Sequence, residues 1–301
     1  MLRWALPPLL LLLTAAAEPP LRLREQSWTA PQGAEGDLAF ALTHAPAACE
    51  SGGRAHSEAG RALFRSPMLL GGPAARAGLS CHACHSNGRA NARFMLPELT
   101  NRPGAADVTS EWAGHVRGDG VMNPLDIPDL AGVSARQAFG HARDPSLRHF
   151  VRGVIVEEFQ GAAATEDALD SVIAYLNTLE PNCVAGATPI TLSTAADDTR
   201  RAFAAAEAMP NWPTSSLVLA ATQDAIGRIA ERLPAPKFRR ERQALATLSR
   251  EITAMRNGGA AALRIAAPGW SARFDATIAQ IERRERRTYF NEATLRAALR
   301  P

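Results

Sequence analysis

The stretch Cys-His-Ala-Cys-His at residues 81–85 decides how the rest of this 301-residue chain is interpreted. It has the C-x-x-C-H spacing, in which two thiols three residues apart lie on one side of a helical turn and a histidine follows directly. This pattern predicts covalent attachment of one heme c. Cys81 and Cys84 are the expected thioether anchors, and His85 is the expected axial iron ligand.

Two other uses of a C-x-x-C pair fit the surrounding sequence less well. A thioredoxin-type redox motif belongs in a βαβ context, which the sequence lacks here. A zinc site needs a second ligand pair, and the remaining cysteines, Cys49 and Cys183, lie far apart in the sequence. In an oxidising compartment these two are predicted to form a disulfide that encloses the heme segment, the alternative being two buried free thiols.

The composition excludes several classes of protein. With 46% hydrophobic and 21% charged residues, the chain is neither collagen-like, coiled-coil nor fully disordered. A formal net charge of +3 is too small to predict nucleic acid as a partner, and 6% aromatic residues are too few for a base-stacking platform. The composition is therefore that of an ordinary folded protein.

The N-terminus predicts export. A positive start is followed by an apolar run at residues 4–13 and by small residues up to Ala17, which is typical of a signal peptide at 1–17. We expect a periplasmic protein with no membrane span after cleavage, and no other stretch of the chain is apolar enough to cross a bilayer. An uncleaved N-terminal anchor is the alternative.

The chain is predicted to be mainly α, with a cytochrome c-like heme domain followed by an antiparallel helical bundle. Residues 18–53 are a predicted loop-rich arm, 54–184 the heme domain and 190–301 a helical domain of unknown role. Apolar periodicity and capping residues place the predicted helices. These lie at 57–64, from about 81, at 145–159, 165–179, 197–208, 215–233, 238–257, 271–288 and 292–299.

Several segments in order resemble the bacterial diheme cytochrome c peroxidase superfamily, which includes the MauG-like enzymes. The resemblance covers less than half of the chain. The matching stretches are GRALF (60–64), LSCHACHSNG (79–88), IPDLAGV (127–133), FGHARDPSL (139–147) and VIAYLNTL (172–179). It is a resemblance to the second, C-terminal heme domain of that superfamily, and it implies a heme protein of the same fold.

The sequence also departs from that family, because it has one C-x-x-C-H motif where members usually have two. The resemblance puts the sixth iron ligand, a Met or Tyr in the family, at Val154, which cannot bind iron. Met122 in a loop is the first candidate for a soft axial ligand, and His141 is the first candidate for lining the heme pocket and for a catalytic role. The further candidates are Met95, His115 and His149, and all five residues have an ordinary packing or surface role as the alternative.

The sixth ligand decides between two functions. A Met-ligated heme suits electron transfer to or from a periplasmic redox protein, which is the leading prediction. An open iron suits a peroxidase-like enzyme that acts on peroxide or on a protein substrate, with acid–base and charged groups nearby. The candidates for those groups are Glu157, Glu158, Arg143, Arg148 and Arg152, which otherwise form a solvated face.

A third possible function is that of a binding module, in which the helical half docks a partner while the heme responds to redox state. The alternating charges at residues 282–287 are by default a solvated helix face and alternatively a docking face for an acidic partner. Trp112, Trp212 and Trp270 are candidate electron relays or ordinary core residues.

Overall fold

The computed structural model describes residues 32–140, 142–162, 164–182, 186–235 and 237–299. The predicted signal peptide, His141 and Cys183 lie outside these residues. Within the described residues the chain is mainly helical, which confirms the predicted α class. The helices are α1 (Glu35–Thr43), α2 (Ala55–Arg65), α3 (Gly72–Ala77), α4 (Cys81–Cys84), α5 (Leu147–Gly153), α6 (Glu166–Leu176), α7 (Leu192–Ala208), α8 (Trp212–Glu231), α9 (Arg239–Glu282) and α10 (Glu292–Ala298).

The described residues contain three short antiparallel strand pairs. The pairs in the described residues are β1 (His44–Pro46) with β6 (Ala187–Pro189), β2 (His85–Ser86) with β3 (Arg89–Ala90), and β4 (Ala105–Ala106) with β5 (Leu125–Asp126). The first pair joins the N-terminal half, residues 32–182, to the C-terminal half, residues 186–299. Most of the region between β3 and α5 is irregular, as its prolines and glycines predict.

Helix α2 is the central element of the N-terminal half, and it packs closely against α6. A Cβ atom on Gly60 would lie 1.8 Å from the backbone oxygen of Ser171, so only glycine permits this approach. Leu63 and Phe64 are buried on the same helix, and the Phe64 ring lies 5.1 Å from the ring of Tyr175 on α6. The GRALF stretch is therefore a helix-packing segment.

One hydrophobic core extends through both halves. Helix α2 also contacts α7 and α8, and buried side chains of all four helices belong to the same cluster. The structure therefore packs the N-terminal half directly against the C-terminal helices.

Helix α9 of the C-terminal half reverses direction within its length. Gly259 has φ +80°, which separates helical segments at 239–258 and 260–282. The segments run antiparallel, because Trp270 Nε1 donates to the Leu248 oxygen at 3.0 Å and Arg284 pairs with Glu241 at 3.0 Å. Trp270 is buried and stacks on Phe203 of α7 at 4.0 Å.

Two local predictions differ from the structure. Residues 260–270 are helical despite Pro268, where the sequence predicted a break. Proline removes one backbone donor, but apolar packing through Leu263 and Ala267 holds the segment in place. Within the predicted loop-rich arm, residues 35–43 form α1. The apolar periodicity of α1 is low because only Ala39 and a few neighbouring side chains of this helix pack against another element, which is α10.

Among the described residues, no helix combines the length and the apolar character that a bilayer span requires.

Candidate functional site

The Cys-His-Ala-Cys-His motif forms one helical turn followed by a tight hairpin. Helix α4 spans only Cys81–Cys84, and His85 begins β2. The hairpin turn uses Asn87 and Gly88 with φ +53° and +77°, the conformation that an Asn-Gly pair favours in two-residue turns. Both thiols and the His85 ring are thus carried by one short, locally defined unit.

The two cysteines of α4 are free and half-buried. Burial raises the pKa of Cys81 to about 12 and that of Cys84 to about 12, so both are neutral thiols at physiological pH. Redox-active C-x-x-C thiols and zinc-binding thiols act as thiolates. No group of three or more His, Cys, Asp or Glu side chains in the described part of the chain is arranged to hold a metal ion.

The His85 ring is held in one tautomer by the loop that follows the motif. Its Nδ1 lies 3.0 Å from the backbone oxygen of Pro128, and because a carbonyl only accepts, Nδ1 carries the proton. Burial lowers the pKa of His85 to about 4, although the Pro128 bond and Asp129 act in the opposite direction. A neutral ring with Nε2 as its free lone pair is the form that binds iron.

Pro128 was not among the residues predicted for the site. Its role depends on a contact across 43 residues, which spacing does not reveal. The only sequence signal was the IPDLAGV stretch (127–133), in which Leu130 also donates its backbone N–H to the oxygen of Gly88 at 2.9 Å. This stretch therefore supports the hairpin as well as His85.

Asn87 joins the hairpin to two other parts of the chain. Its Nδ2 donates to the Pro46 oxygen at 2.6 Å, and its Oδ1 accepts a short hydrogen bond from Arg65 of α2. Its backbone N–H donates to Nδ1 of His82 at 3.1 Å. Burial, together with the nearby Arg65 and Arg228, lowers the pKa of His82 well below its ordinary value, so this ring is neutral.

A buried group of ion pairs connects the hairpin to the C-terminal half. Arg61 of α2 donates to Glu50 at 3.0 Å and to Asp198 of α7 at 2.6 Å. Arg65 donates to the other oxygen of Asp198 at 3.1 Å. Burial alone raises the pKa of Asp198, but the charges of Arg65 and Arg61, with Arg228, outweigh it and lower the pKa to about 2. Asp198 is therefore ionised and is shared by the two arginines, while Glu50 supplies the second negative charge of the group.

The predicted sixth-ligand residues are not brought together in the described structure. Met122 and Met95 are 47% and 54% exposed, and His115 is exposed. Nδ1 of His149 makes a short hydrogen bond with the carboxylate of Asp144. His141 lies outside the described residues.

The helix that contains Val154 has an unusual form. After α5, residues 154–158 form a π-helix that begins at Val154, whose side chain packs partly buried against the core. Glu157 accepts from Arg117 at 2.8 Å, and buried Glu158 accepts a short bond from the same guanidinium. Burial raises the pKa of Glu158, with Arg117 acting against it.

The other predicted charged and aromatic residues have local partners or lie in the core. Arg148 and Arg152 pair with Glu166 rather than with Glu157 or Glu158. Arg143 has φ +52° and is exposed in a turn. Trp270 is a core residue, and the other two candidate tryptophans, Trp112 and Trp212, are partly buried against the same cluster.

Of the two cysteines in the predicted disulfide, Cys49 belongs to the described residues and Cys183 does not. Cys49 is buried, and its backbone oxygen accepts from the Glu180 N–H at 3.0 Å. Ala47 donates to the oxygen of Gly186 at 2.8 Å. The segments before and after Cys183 therefore both lie against the Cys49 loop, while Cys183 is itself not described and the disulfide stays a prediction.

Comparison with known proteins adds no relative: no family model, curated protein or solved structure matches this chain.

Proposed function

We propose that the chain is an exported monoheme c-type cytochrome, related to the diheme cytochrome c peroxidase superfamily, that carries electrons to or from a periplasmic redox protein. One observation carries this proposal. His85 is a neutral imidazole whose Nδ1 donates to Pro128, and it directly follows a turn that bears two free thiols. This is the donor set that covalent heme attachment uses.

The residues of the motif fit heme c in number and in chemistry. Sγ of Cys81 and Sγ of Cys84 would form the thioether links, and Nε2 of His85 would bind the iron. The bound heme would supply reversible one-electron chemistry. Pro128 fixes the orientation of His85, and Asn87 holds the hairpin to α2 and to Pro46.

The loop that follows the motif supports a cytochrome-like arrangement. The described part of the chain has seven exposed large hydrophobic side chains, and five of them lie between residues 95 and 125. These five are Met95, Val116, Val121, Met122 and Leu125. A concentration of apolar side chains on one exposed segment is typical of a surface that covers a ligand or a partner, and a porphyrin is such a ligand.

The covalent link is tested by export of the full chain in cells that carry a cytochrome c maturation system. The intact mass should include one added heme, and the double variant Cys81→Ser/Cys84→Ser should lose it completely. The matched control Ala83→Ser changes the same turn but keeps all three donors, so it should keep the heme. A colourless wild-type protein of unmodified mass would overturn the proposal.

Export and the disulfide belong to the same proposal. The predicted signal peptide at 1–17 should be absent from the mature protein, which N-terminal sequencing measures. Cys49 and Cys183 should resist thiol labelling until a reductant is added. A protein that retains residues 1–17 would instead support the uncleaved anchor.

A peroxidase-like enzyme with an open sixth site is the second candidate. The observation in its favour is the π-helix at Val154, which brings buried Glu158 and Arg117 together where the resemblance places the sixth ligand. Such helices are frequent at functional sites, and a paired acid and cation suit proton transfer to a bound peroxide.

Carbon monoxide binding separates the two candidates. If Met122 fills the sixth position, the ferrous protein should bind carbon monoxide slowly, and the ferric spectrum should show the Met–iron band. Met122→Leu should then abolish that band and speed binding, whereas the matched control Met95→Leu should do neither. Rapid binding by the wild type, unchanged in Met122→Leu, would favour the open-site enzyme.

A further inference from the structure

Exposed positive charges gather at one end of the C-terminal half. They come from two segments, the start of α9 with the turn before it and the residues that follow α9. We call this surface the basic end. Its exposed cations are Lys237, Arg239, Arg240, Arg283, Arg286 and Arg287.

The two segments form one surface because Arg284 joins them. Its Nη1 lies 3.0 Å from Oε1 of Glu241, and its Nη2 donates to the backbone oxygen of Lys237 at 2.6 Å. The guanidinium carbon lies 4.4 Å from the ring centroid of Phe238. Residues on both sides of these contacts are therefore neighbours in space.

The charge of the basic end is not balanced locally. Glu241 is buried against Arg284, and the Glu285 carboxylate accepts the backbone N–H of Leu192 at 3.1 Å. With the exposed Glu282, the two segments hold three acids against six exposed cations, so positive charge is in excess. None of the six exposed cations makes an ion pair within the described residues. By contrast, the exposed Arg200 of α7 and Arg273 of α9 do make ion pairs. Unpaired like charges repel one another, and a partner of opposite charge relieves that repulsion.

The last turn of α8, which precedes the basic end in the chain, is linked to the heme-binding segment through Arg65. Arg228, in the last turn of α8, donates to the backbone oxygen of Arg65 at 3.2 Å, and Arg65 donates to Asn87 of the hairpin. Arg232 donates to the Leu42 oxygen at 2.5 Å. The basic end begins five residues after Arg232, so it follows the end of α8 that is linked to the hairpin through Arg65.

The chemistry of this surface favours a protein over a lipid bilayer. Peripheral membrane surfaces combine cations with large apolar side chains that enter the headgroup layer. The exposed large hydrophobic residues of the described chain lie outside residues 230–299, except for Ile265 near the start of α9's second segment. A hydrated basic surface without apolar anchors fits the acidic face of a transient protein partner.

We propose that the basic end is the docking surface for an acidic electron-transfer protein. This inference rests on the proposed function for the redox character of the partner, while the docking itself depends only on charge. Long-range attraction of this kind raises association rates by about 10- to 1,000-fold at low salt and weakens as salt screens it.

The test uses the full-length exported protein and a flavodoxin, a small acidic one-electron carrier, as the probe. The test variant is Arg239→Glu/Arg287→Glu. The matched control is Arg250→Glu/Arg264→Glu, which makes the same charge change. Both control residues are exposed. Along the helix axes, Arg250 lies about 16 Å from Arg239, and Arg264 lies about 28 Å from Arg283. Binding is measured by calorimetry, and electron transfer to the heme is measured by stopped-flow absorbance, each across a salt series.

The wild type should bind the flavodoxin at low salt, and its bimolecular rate should fall steeply as salt rises. The test variant should lose at least about 10-fold in rate and affinity and most of the salt dependence. The control should stay within about threefold of the wild type. If the protein carries no heme but calorimetry still shows loss of binding confined to the test variant, the docking surface stands and the cytochrome proposal fails.

Three results would overturn the docking surface. The first is equal loss in both variants, which would make net charge alone responsible. The second is no binding of the flavodoxin by the wild type at low salt. The third is that the wild type binds phosphatidylglycerol vesicles but not the flavodoxin, and that the test variant loses the vesicle binding. The surface would then be a membrane contact.

Discussion

The two halves of this protein are stabilised by different means. The C-terminal half is built from long helices whose apolar faces enclose Trp270 and its stacked neighbours. The N-terminal half has short helices and long irregular loops, and it depends on one close helix contact at Gly60 and on the buried ion pairs of Arg61 and Arg65. Continuous helices satisfy their own backbone groups, whereas a loop-rich half needs specific long-range contacts.

The same difference is visible on the surface. Six of the seven exposed large hydrophobic side chains of the described residues belong to the N-terminal half, and Ile265 belongs to the C-terminal half. The N-terminal half thus presents apolar surface in the region expected to cover a cofactor. The C-terminal half presents mainly charge. We infer that the first half is shaped for a ligand and the second for support and docking.

The strongest test of this comparison is one substitution made in both halves. Gly60→Ala places a methyl group where the Ser171 oxygen lies, so it should destabilise the fold by more than about 4 kcal/mol or prevent folding. In Gly269→Ala the new Cβ would meet only the flexible end of Arg273, so the higher helix propensity of alanine should stabilise by about 0.5–1 kcal/mol. Urea unfolding measures both, and similar effects at the two sites would refute the contrast.

The second largest effect is expected at the junction between the two halves, where Arg61 and Arg65 pair with Asp198. Asp198→Asn leaves the buried Arg61 and Arg65 charges without their shared partner and should cost about 3–5 kcal/mol. Asp197→Asn is the matched control, because this neighbour is exposed and its ion pair in the described part of the chain is with the exposed Arg200; it should cost less than about 1 kcal/mol. Equal losses in urea unfolding would mean that the buried pairs do not hold the halves together.

Acid should weaken the same junction. The pKa of Asp198 is about 2 in the folded protein and about 3.9 in an unfolded chain, so the carboxylate stabilises the fold fully above the unfolded value. This contribution, of about 2–3 kcal/mol, is lost as pH falls through the folded pKa. The stability difference between the wild type and Asp198→Asn should therefore shrink from about pH 5 to about pH 2. A difference that stays constant over this range would contradict the assignment.

The smallest effects are expected at the surface. Val121→Asp and Ile265→Asp should each change the free energy of unfolding by less than about 0.5 kcal/mol, because both side chains are exposed. Only Val121→Asp should lower the midpoint potential of the proposed heme, since a nearby negative charge favours the oxidised iron. Potentiometric titration of the two variants measures this, and identical potentials would mean that the 95–125 segment does not cover the heme.

Much of this fold was predictable from local pattern, and part of it was not. Apolar periodicity predicted α6 and α8 to within a few residues, because each helix buries one continuous face. It missed α1, which buries little, and the helical segment after Gly259, where Gly258, Gly259 and Pro268 suggested a loop. Tertiary packing through Leu263 and Ala267 outweighs those local preferences.

The candidate site divides in the same way. The thiols and the imidazole follow from spacing within five residues. Pro128 and Arg65 entered the site only through the structure, because their contacts to His85 and Asn87 span 43 and 22 residues. Sequence periodicity carries no information about partners at such separations, and Asp198, in the other half, is more distant still.

The sequence by itself determined which donor atoms stand together, since a helical turn places residues 81, 84 and 85 side by side whatever surrounds them. Only the tertiary structure decided which nitrogen of His85 carries its proton and which charges balance Arg65. Those outcomes depend on burial and on hydrogen-bond partners that are brought close when distant segments pack.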